Sequence, residues 1–302
     1  MARERIERLK RSKNAIILAH NYQRPEIQDI ADFVGDSLEL ARRAVETDAE
    51  IIVFCGVDFM AETAAILNPD KKVLIPDLGA ICPMAQMLTV EELEEAKEKN
   101  PDAEVVLYIN TLADCKALAD CICTSANAPK VVETMDSDTI IFGPDHNLAR
   151  YVEKRTSKRI IPIPEYGLCP THHQIAVEDL WEGKKNHPAA EIVVHPECIP
   201  EVQEIADHIA STSGMVRYCK EARGKEFLIG TEVGLLYRLQ KETKTQGKKF
   251  YPLSESAVCP QMKMHTLTKV EKALEFEKPV VLVQRELAKE AWRAIERMLR
   301  IS

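Results

Sequence analysis

The chain has 302 residues, of which 40 are basic and 48 acidic, so its formal net charge is -8, with both signs mixed along the sequence. This balance argues against a nucleic-acid-binding groove, and no segment approaches the roughly 20 apolar residues of a membrane span. The charged N-terminus is not typical of a signal peptide. We therefore expect a cytoplasmic protein whose nine cysteines are thiols or metal ligands rather than disulfides.

The apolar pattern predicts short strands that alternate with helices, after an amphipathic helix over residues 2–12. Continuous apolar strands separated by helices are typical of parallel sheets covered on both faces. In the first part of the chain the predicted elements are strand 15–19, a helix after Asp36-Ser37, strand 51–54, a helix through Ala61, Ala64 and Leu67 that stops at Asn68-Pro69, and strand 73–75.

The same pattern recurs twice more, and each of the three copies ends in Cys-Pro after a strand-like run. Each copy opens with an apolar run closed by a polar ring, and a hydroxyl residue follows 17 residues later. The equivalent positions are His20, Tyr108 and His195 for the ring, Ser37, Ser125 and Thr212 for the hydroxyl, Gly56, Gly143 and Gly230 for a strand-ending glycine, and Cys82, Cys169 and Cys259 for the cysteine. A repeat of about 90 residues predicts three homologous parallel-sheet α/β domains in a pseudo-threefold arrangement around a central site.

The joints between the copies set the predicted domain boundaries. A helix starts near Thr89, with Glu92 at capping-box spacing, and it stops at Asn100-Pro101. The predicted domains are residues 1–100, 101–187 and 188–278. Residues 279–283 resemble a further strand, and we expect the tail 279–302 to complete the first domain.

The three in-register cysteines are the strongest functional signal. Functional residues collect where parallel strands end, and the three sets of strand ends should converge on one cavity. Buried apolar cysteines are the alternative, but it explains poorly three residues in register. As ligands they fit zinc with water in the fourth place, or an iron–sulfur cluster with three protein ligands. Either leaves an open coordination position that can act as a Lewis acid.

Polar residues near the strand ends predict a pocket for a small anion. Tyr22, Asn110 and Glu197 lie two residues beyond the three rings, and Glu197 is the carboxylate placed for proton abstraction. The hydroxyls of Ser37, Ser125 and Thr212 lie at helix starts, where they could cap the helix or bind carboxylate or phosphate. His172 is a further candidate contact within one turn of Cys169. No dinucleotide fingerprint, Walker loop or radical-type cysteine run is present.

Motifs over nearly the whole chain resemble those of the quinolinate synthase family. They are His20-Asn21-Tyr22, Gly35-Asp36-Ser37, Cys82-Pro83-Met84, Tyr108-Ile109-Asn110, Thr124-Ser125-Ala126-Asn127, Gly143-Pro144-Asp145-His146-Asn147-Leu148, Cys169-Pro170-Thr171-His172, His195-Pro196-Glu197-Cys198, Ser211-Thr212, Gly230-Thr231-Glu232-Val233-Gly234 and Cys259-Pro260 with Met262-Lys263.

The resemblance implies three α/β domains around a [4Fe-4S] cluster held by Cys82, Cys169 and Cys259. It implies condensation of iminoaspartate with dihydroxyacetone phosphate to quinolinate, with loss of phosphate and water, and an aspartate oxidase or dehydrogenase as supplier. The residues that match the substrate-binding set are His20, Ser37, Tyr108, Asn110, Ser125, His195, Glu197 and Thr212, with His172 and Ser211 at its edges.

For catalysis we expect Tyr22 and Glu197 to transfer protons, with His195 beside them, because a phenol and a carboxylate differ widely in reference pKa. The chain departs from some family members at the last ligand. Met262 and His265 stand where those members carry further cysteines, so a regulatory disulfide is not available there.

Three alternatives stay open from the sequence. They are a three-lobed iron–sulfur reductase of isoprenoid synthesis, a zinc lyase and a non-catalytic cluster-based sensor. The reductase would need electron delivery, and the sensor would ordinarily need a basic DNA-binding face, which the sequence does not offer.

Overall fold

Three separate four-stranded sheets form the framework of the protein. In residues 2–301, which the computed structural model describes, neighbouring strands within each sheet are parallel. The strand order is the same in each sheet, with the second strand of the repeat at one edge, then the first, third and fourth. The structure therefore confirms the predicted α/β fold of three parallel-sheet units.

The first repeat and its connecting helix comprise α1 (Ala2–Ser12), β1 (Ala15–His20), α2 (Pro25–Ile30), β2 (Phe33–Gly35), α3 (Ser37–Glu46), β3 (Ile51–Cys55), α4 (Asp58–Leu67), β4 (Lys72–Leu74) and α5 (Val90–Lys99). The second comprises β5 (Glu104–Tyr108), α6 (Ala113–Lys116), β6 (Cys121–Cys123), α7 (Ala128–Glu133), β7 (Thr139–Gly143), α8 (His146–Glu153), β8 (Arg159–Pro162), α9 (Pro170–His173) and α10 (Val177–Asn186). The third comprises β9 (Glu191–Val194), α11 (Pro200–Ile205), β10 (His208–Ile209), α12 (Thr212–Glu221), β11 (Glu226–Gly230), α13 (Leu235–Glu242), β12 (Lys249–Pro252), α14 (Leu267–Phe276) and α15 (Arg285–Ile301). Short 3₁₀ turns lie at Met84–Gln86, Lys244–Gln246 and Met262–Met264.

The edge strands β2, β6 and β10, of two or three residues each, are absent from the sequence-based prediction. An aspartate at the start of each edge strand ties it to the first strand of its repeat. The Asp32 carboxylate accepts the backbone N–H of Ile17 at 2.7 Å, and the Asp32 backbone N–H donates to the Ile17 carbonyl at 2.9 Å. The equivalent pairs are Asp120 with Val105 and Asp207 with Ile192.

Equivalent long side chains join the repeats into a ring. Gln28 on α2 donates to the Gly234 carbonyl of the third repeat at 3.1 Å. The other two members of this set are Lys116, which donates to the Phe59 carbonyl of the first repeat at 3.4 Å, and Gln203, which donates to the Asn147 carbonyl of the second at 3.4 Å. Each repeat thus contacts the next in the same sense, as a pseudo-threefold ring requires.

The connecting helices α10 and α14 pack on different sheets. Helix α10 packs on the third sheet, which follows it, since Leu180 is buried with Ile192. Helix α14 packs back on the first sheet, where Val270 and Leu274 are buried with Ile17. Helix α14 therefore closes the ring. The domain boundaries at residues 100, 187 and 278 stay predictions.

The C-terminal tail differs from the predicted further strand at 279–283. Val280 makes a single antiparallel bridge to Leu74 at the edge of the first sheet, and no strand forms there. Helix α15 then packs against α6 and β6 of the second repeat and against α4 of the first. Among residues 2–301, none of the helices is both long and apolar enough to cross a lipid bilayer.

Candidate active site at the centre of the ring

One buried cavity, with a volume of about 70 Å³, collects side chains from all three repeats. Its position follows from the fold, because parallel strands bring their carboxyl ends to one edge of each sheet. Of the residues that the sequence singles out, those lining the cavity are His20, Tyr22, Ser37, Cys82, Tyr108, Asn110, Ser125, Cys169, His172, His195, Glu197, Thr212 and Cys259. Ser211 is not among the lining residues.

The three in-register cysteines reach the cavity as free, partly exposed thiols, whereas the other six are free but buried. Burial around the sulfur raises the pKa of Cys82, Cys169 and Cys259, so as thiolates they would need a cation for stabilisation. Within residues 2–301 the only group with all its ligand atoms within 4.8 Å of one another is Cys169, His172 and Glu197. That group includes one of the three in-register cysteines, together with ligand types that a single metal ion takes.

The buried rings of His20 and His195 are held in the same way, each by a hydrogen bond to its Nδ1. Nδ1 of His20 accepts the backbone N–H of Tyr22 at 3.2 Å, and Nδ1 of His195 accepts that of Glu197 at 3.3 Å. Burial lowers the pKa of both rings to about 3, so both are neutral near pH 7. Since Nδ1 is the acceptor, Nε2 carries the hydrogen. Each ring therefore offers the cavity a neutral N–H donor.

Glu197 is held as an ionised carboxylate. Tyr108 donates its hydroxyl to Oε1, and His172 Nδ1 lies 2.7 Å from Oε2. Burial alone raises the pKa of Glu197, but the neighbouring His172 and His195 rings and the hydrogen bonds from His172 and Tyr108 outweigh it and lower that pKa below its ordinary value. The carboxylate can therefore accept a proton only from a strongly acidified group, or pass it on through a partner.

Tyr22 lies on the other side of His172. Its hydroxyl is 3.2 Å from His172 Nε2 and 2.5 Å from Thr231 Oγ1. Burial and the charge of Glu197 raise the pKa of Tyr22 well above its ordinary value, so the phenol keeps its proton. His172 thus joins the phenol and the carboxylate through its two ring nitrogens, a link that sequence reasoning missed because the two sides come from different repeats.

Of the three hydroxyls predicted at helix starts, Ser125 lies three residues before α7, whereas Ser37 and Thr212 open α3 and α12. Neither Ser37 nor Thr212 is the cap. Asp36 caps α3 by accepting the N–H groups of Leu38 and Glu39, and Ser211 caps α12 by accepting that of Gly214. Ser37 and Thr212 line the cavity, and Thr212 Oγ1 accepts a hydrogen bond from Asn21 Nδ2 at 2.7 Å, which leaves its O–H as a donor. Ser211 also donates to Asp36 Oδ2 at 3.0 Å, which explains its absence from the cavity wall.

Asn110 has an unused acceptor. Within residues 2–301 its buried Oδ1 has no hydrogen-bond partner, and the side chain lines the cavity. A buried polar atom without a partner costs roughly 1–3 kcal/mol, so a bound molecule with a matching donor would recover that energy.

The sequence-based prediction assigns no role to three acids behind the cysteines. Asp58, Asp145 and Glu232 accept the backbone N–H of the three cysteines, and burial raises the pKa of each acid. The signal was available, since each acid lies two residues after the repeated glycine.

One cavity receives the strand ends of three sheets, together with three thiols, neutral imidazoles and an ionised carboxylate. These features define an α/β enzyme with a cysteine-rich centre. Such a centre is compatible with a metal cluster. The class follows from the geometry of the site rather than from the fold alone.

Comparison with known proteins then identifies the family. The profile of quinolinate synthetase A protein matches residues 4–300. Quinolinate synthase of Methanothermobacter thermautotrophicus is 57% identical over 298 residues, which cover 98% of this chain and 97% of that protein. The enzymes of Methanocaldococcus jannaschii and Thermodesulfovibrio yellowstonii are 54% and 55% identical, over 99% and 98% of this chain and 98% and 97% of theirs. The chain belongs to the quinolinate synthase family, which confirms the resemblance.

Proposed function

We propose that this enzyme condenses iminoaspartate with dihydroxyacetone phosphate to quinolinate, using a [4Fe-4S] cluster held by Cys82, Cys169 and Cys259. The observation that carries the proposal is that each of three repeats delivers one cysteine to the cavity lined by the candidate substrate-binding side chains. The reaction balances with release of one phosphate and two waters. It needs no oxidant or reductant, which separates it from the iron–sulfur reductase alternative.

The three thiols provide the ligand set of a cluster with three protein ligands. They come from three repeats to one cavity wall. When bound, such a cluster supplies an iron with a free coordination position, which acts as a Lewis acid on a substrate oxygen. The compact group of Cys169, His172 and Glu197 has ligand types that zinc also takes, so the metal content of the protein separates the cluster from the zinc lyase.

The substrates bring two carboxylates and one phosphate, and the cavity meets them with neutral donors. No lysine or arginine within residues 2–301 lines the cavity. The donors are the Nε2–H groups of His20 and His195 and the hydroxyls of Ser37, Ser125 and Thr212. Ser37 and Thr212 lie in the first turns of ten-residue helices, where the helix dipole favours anions.

Proton transfer is assigned to the chain Tyr22–His172–Glu197. The shifted pKa values set the resting state, in which the phenol holds its proton and the carboxylate holds none. Each residue acts as an acid or base only when the charge of a bound substrate brings the two pKa values closer together. Because His172 contacts both residues through opposite ring nitrogens, it can take a proton on one side as it gives one on the other. His195, stacked on His172 at 4.6 Å, completes the catalytic set.

The proposal includes the supply of substrate. Iminoaspartate would come from an aspartate oxidase or dehydrogenase, and the enzyme would work in the cytoplasm on small molecules, without nucleic acid or membrane.

An anaerobic assay tests the proposal. Protein reconstituted with iron and sulfide is mixed with oxaloacetate, ammonia and dihydroxyacetone phosphate, without reductant, and quinolinate is measured. We expect quinolinate to form and the protein to be brown, with an absorbance band at roughly 400 nm. A colourless zinc protein that forms quinolinate would overturn the cluster, and an iron–sulfur protein that forms none would overturn the reaction.

A further inference from the structure

A carboxylate holds the backbone of each cysteine in the cavity. The N–H of Cys169 donates to Asp145 Oδ2 at 3.0 Å. The other two pairs are Cys82 with Asp58 Oδ1 at 2.9 Å and Cys259 with Glu232 Oε1 at 3.2 Å. The three repeats keep this contact although none of the proposed substrate or proton-transfer steps uses it.

Each acid also binds a second part of its own repeat. The second contacts are Leu148 N–H to Asp145 Oδ1 at 2.7 Å, Gln86 Nε2 to Asp58 Oδ2 at 2.9 Å, and Gly234 N–H to Glu232 Oε2 at 2.7 Å. The acids therefore join the loop after the fourth strand of each repeat to the segment that follows its third strand.

Apolar burial fixes only part of each cysteine loop. Met84 of the first loop and Met262 of the third are buried, whereas Leu78, Tyr166 and Val258 have exposed fractions of 67%, 79% and 38%. Gly167 lets the Cys169 loop approach the neighbouring turn, because a Cβ there would lie 1.7 Å from the Pro144 carbonyl oxygen. In each repeat the segment that carries the acid also donates a backbone N–H to the carbonyl two residues before the cysteine, at Ala80, Gly167 and Ala257. The acids are thus the side-chain restraint that the three loops share, and they bind the cysteine N–H directly.

We propose that Asp58, Asp145 and Glu232 are positioning residues that hold the three cysteine loops in place before a cluster is assembled. The inference rests on the proposed function for the identity of the cluster. The restraint itself is a property of the metal-free chain.

Asp145→Asn is the sharpest test, because both partners of Asp145 are backbone N–H groups. An amide can accept only one of them and turns its NH₂ toward the other. Asp58→Asn is the matched variant, since Gln86 can rotate its amide and accept the new NH₂ while Cys82 keeps its acceptor. Asp207→Asn is the control. Asp207 also accepts a backbone N–H, that of Ile192, but it joins β9 to β10 and contacts none of the three cysteine loops through this bond.

Two quantities are measured in each variant: amide hydrogen exchange of the cysteine loops in metal-free protein, and the rate at which a chelator removes iron from reconstituted protein. We expect Asp145→Asn to speed both by about tenfold at the Cys169 loop, the effect of losing one buried hydrogen bond. Asp58→Asn and Asp207→Asn should stay within about twofold of the parent at the cysteine loops. If Asp145→Asn does not fold, Asp58→Ala at the partly exposed first site should produce the same changes at the Cys82 loop.

Unchanged exchange and iron release in Asp145→Asn, or in Asp58→Ala if the former fails to fold, would overturn the inference. A lower unfolding midpoint with uniformly faster exchange would also overturn it, by assigning the acids to general stability. A parent protein that holds no iron would refute the cluster instead, and the exchange measurement would still decide on the loops.

Discussion

At the residue scale, the site works through pairs whose members come from different repeats. Tyr22 belongs to the first repeat, Tyr108 and His172 to the second, and Glu197 to the third, yet they form one connected set of hydrogen bonds. An ionised, buried Glu197 is tolerated only because neighbours from another repeat compensate its burial.

Replacing Tyr22 and Glu197, which lie at the two ends of the chain through His172, tests the proton-transfer assignment. Tyr22→Phe and Glu197→Gln should each lower kcat by about 10²–10⁴-fold, the usual contribution of a general acid or base. Both changes conserve shape, so the absorbance of the cluster should stay that of the parent. Near-normal turnover in Glu197→Gln would reassign that residue to binding.

The neutral histidines predict a pH dependence of stability. The pKa of His20 is about 3 in the folded protein, against about 6.5 when unfolded. The unfolded chain therefore binds one more proton between these values, and the stabilising contribution of neutral His20 is lost as the pH falls below about 6.5.

His20→Asn removes this titration and keeps an acceptor for the Tyr22 N–H. From pH 6 to pH 4 its free energy of unfolding, measured with urea on metal-free protein, should fall less steeply than that of the parent, by about 1.4 kcal/mol per pH unit. Parallel curves for the two proteins would show that His20 is not neutral in the folded state.

His20 at a strand end and Cys82 in the loop beyond one could be predicted from the sequence because the repeat puts equivalent positions in register. The register also contains Asp145, but its contact with Cys169 and that of His172 with Glu197 could not be predicted, since they depend on which loop approaches which helix start. For Ser37 the pattern left two interpretations, and only the capping contact of Asp36 separates them.

At the scale of elements, helix α14 closes the ring of three repeats. It begins eight residues after Cys259, as α5 and α10 do after their cysteines, but it packs back on the first sheet instead of leading into a fourth. Hydrophobic periodicity predicts such a helix, but it does not say which sheet the helix covers. The same limit applies to residues 279–283, whose apolar run reads as a strand but forms a single bridge.

Leu274→Ala tests this closure. Leu274 is fully buried against the first sheet, so its truncation should lower the free energy of unfolding by about 2–5 kcal/mol. Phe276 lies on the same helix with 64% of its surface exposed, and Phe276→Ala should change stability by less than about 0.5 kcal/mol. Equal effects in urea denaturation would contradict the packing of α14.

At the scale of the whole molecule, three copies of one α/β unit build a site that none of them contains alone. Each copy presents a strand-end polar residue, a hydroxyl and a cysteine to the common cavity. Pseudo-threefold symmetry supplies three equivalent thiols, while Tyr108 in the place of His20 and His195 makes the cavity asymmetric.

The iron content of single cysteine variants after anaerobic reconstitution tests the central claim most directly. The parent should hold about four irons per chain, and Cys82→Ser, Cys169→Ser and Cys259→Ser should each lose the cluster while the fold persists. Cys198→Ser, which changes a buried cysteine outside the repeat register, should keep the parent's iron content. Full iron in any one of the three ligand variants would contradict a cluster shared by the three repeats.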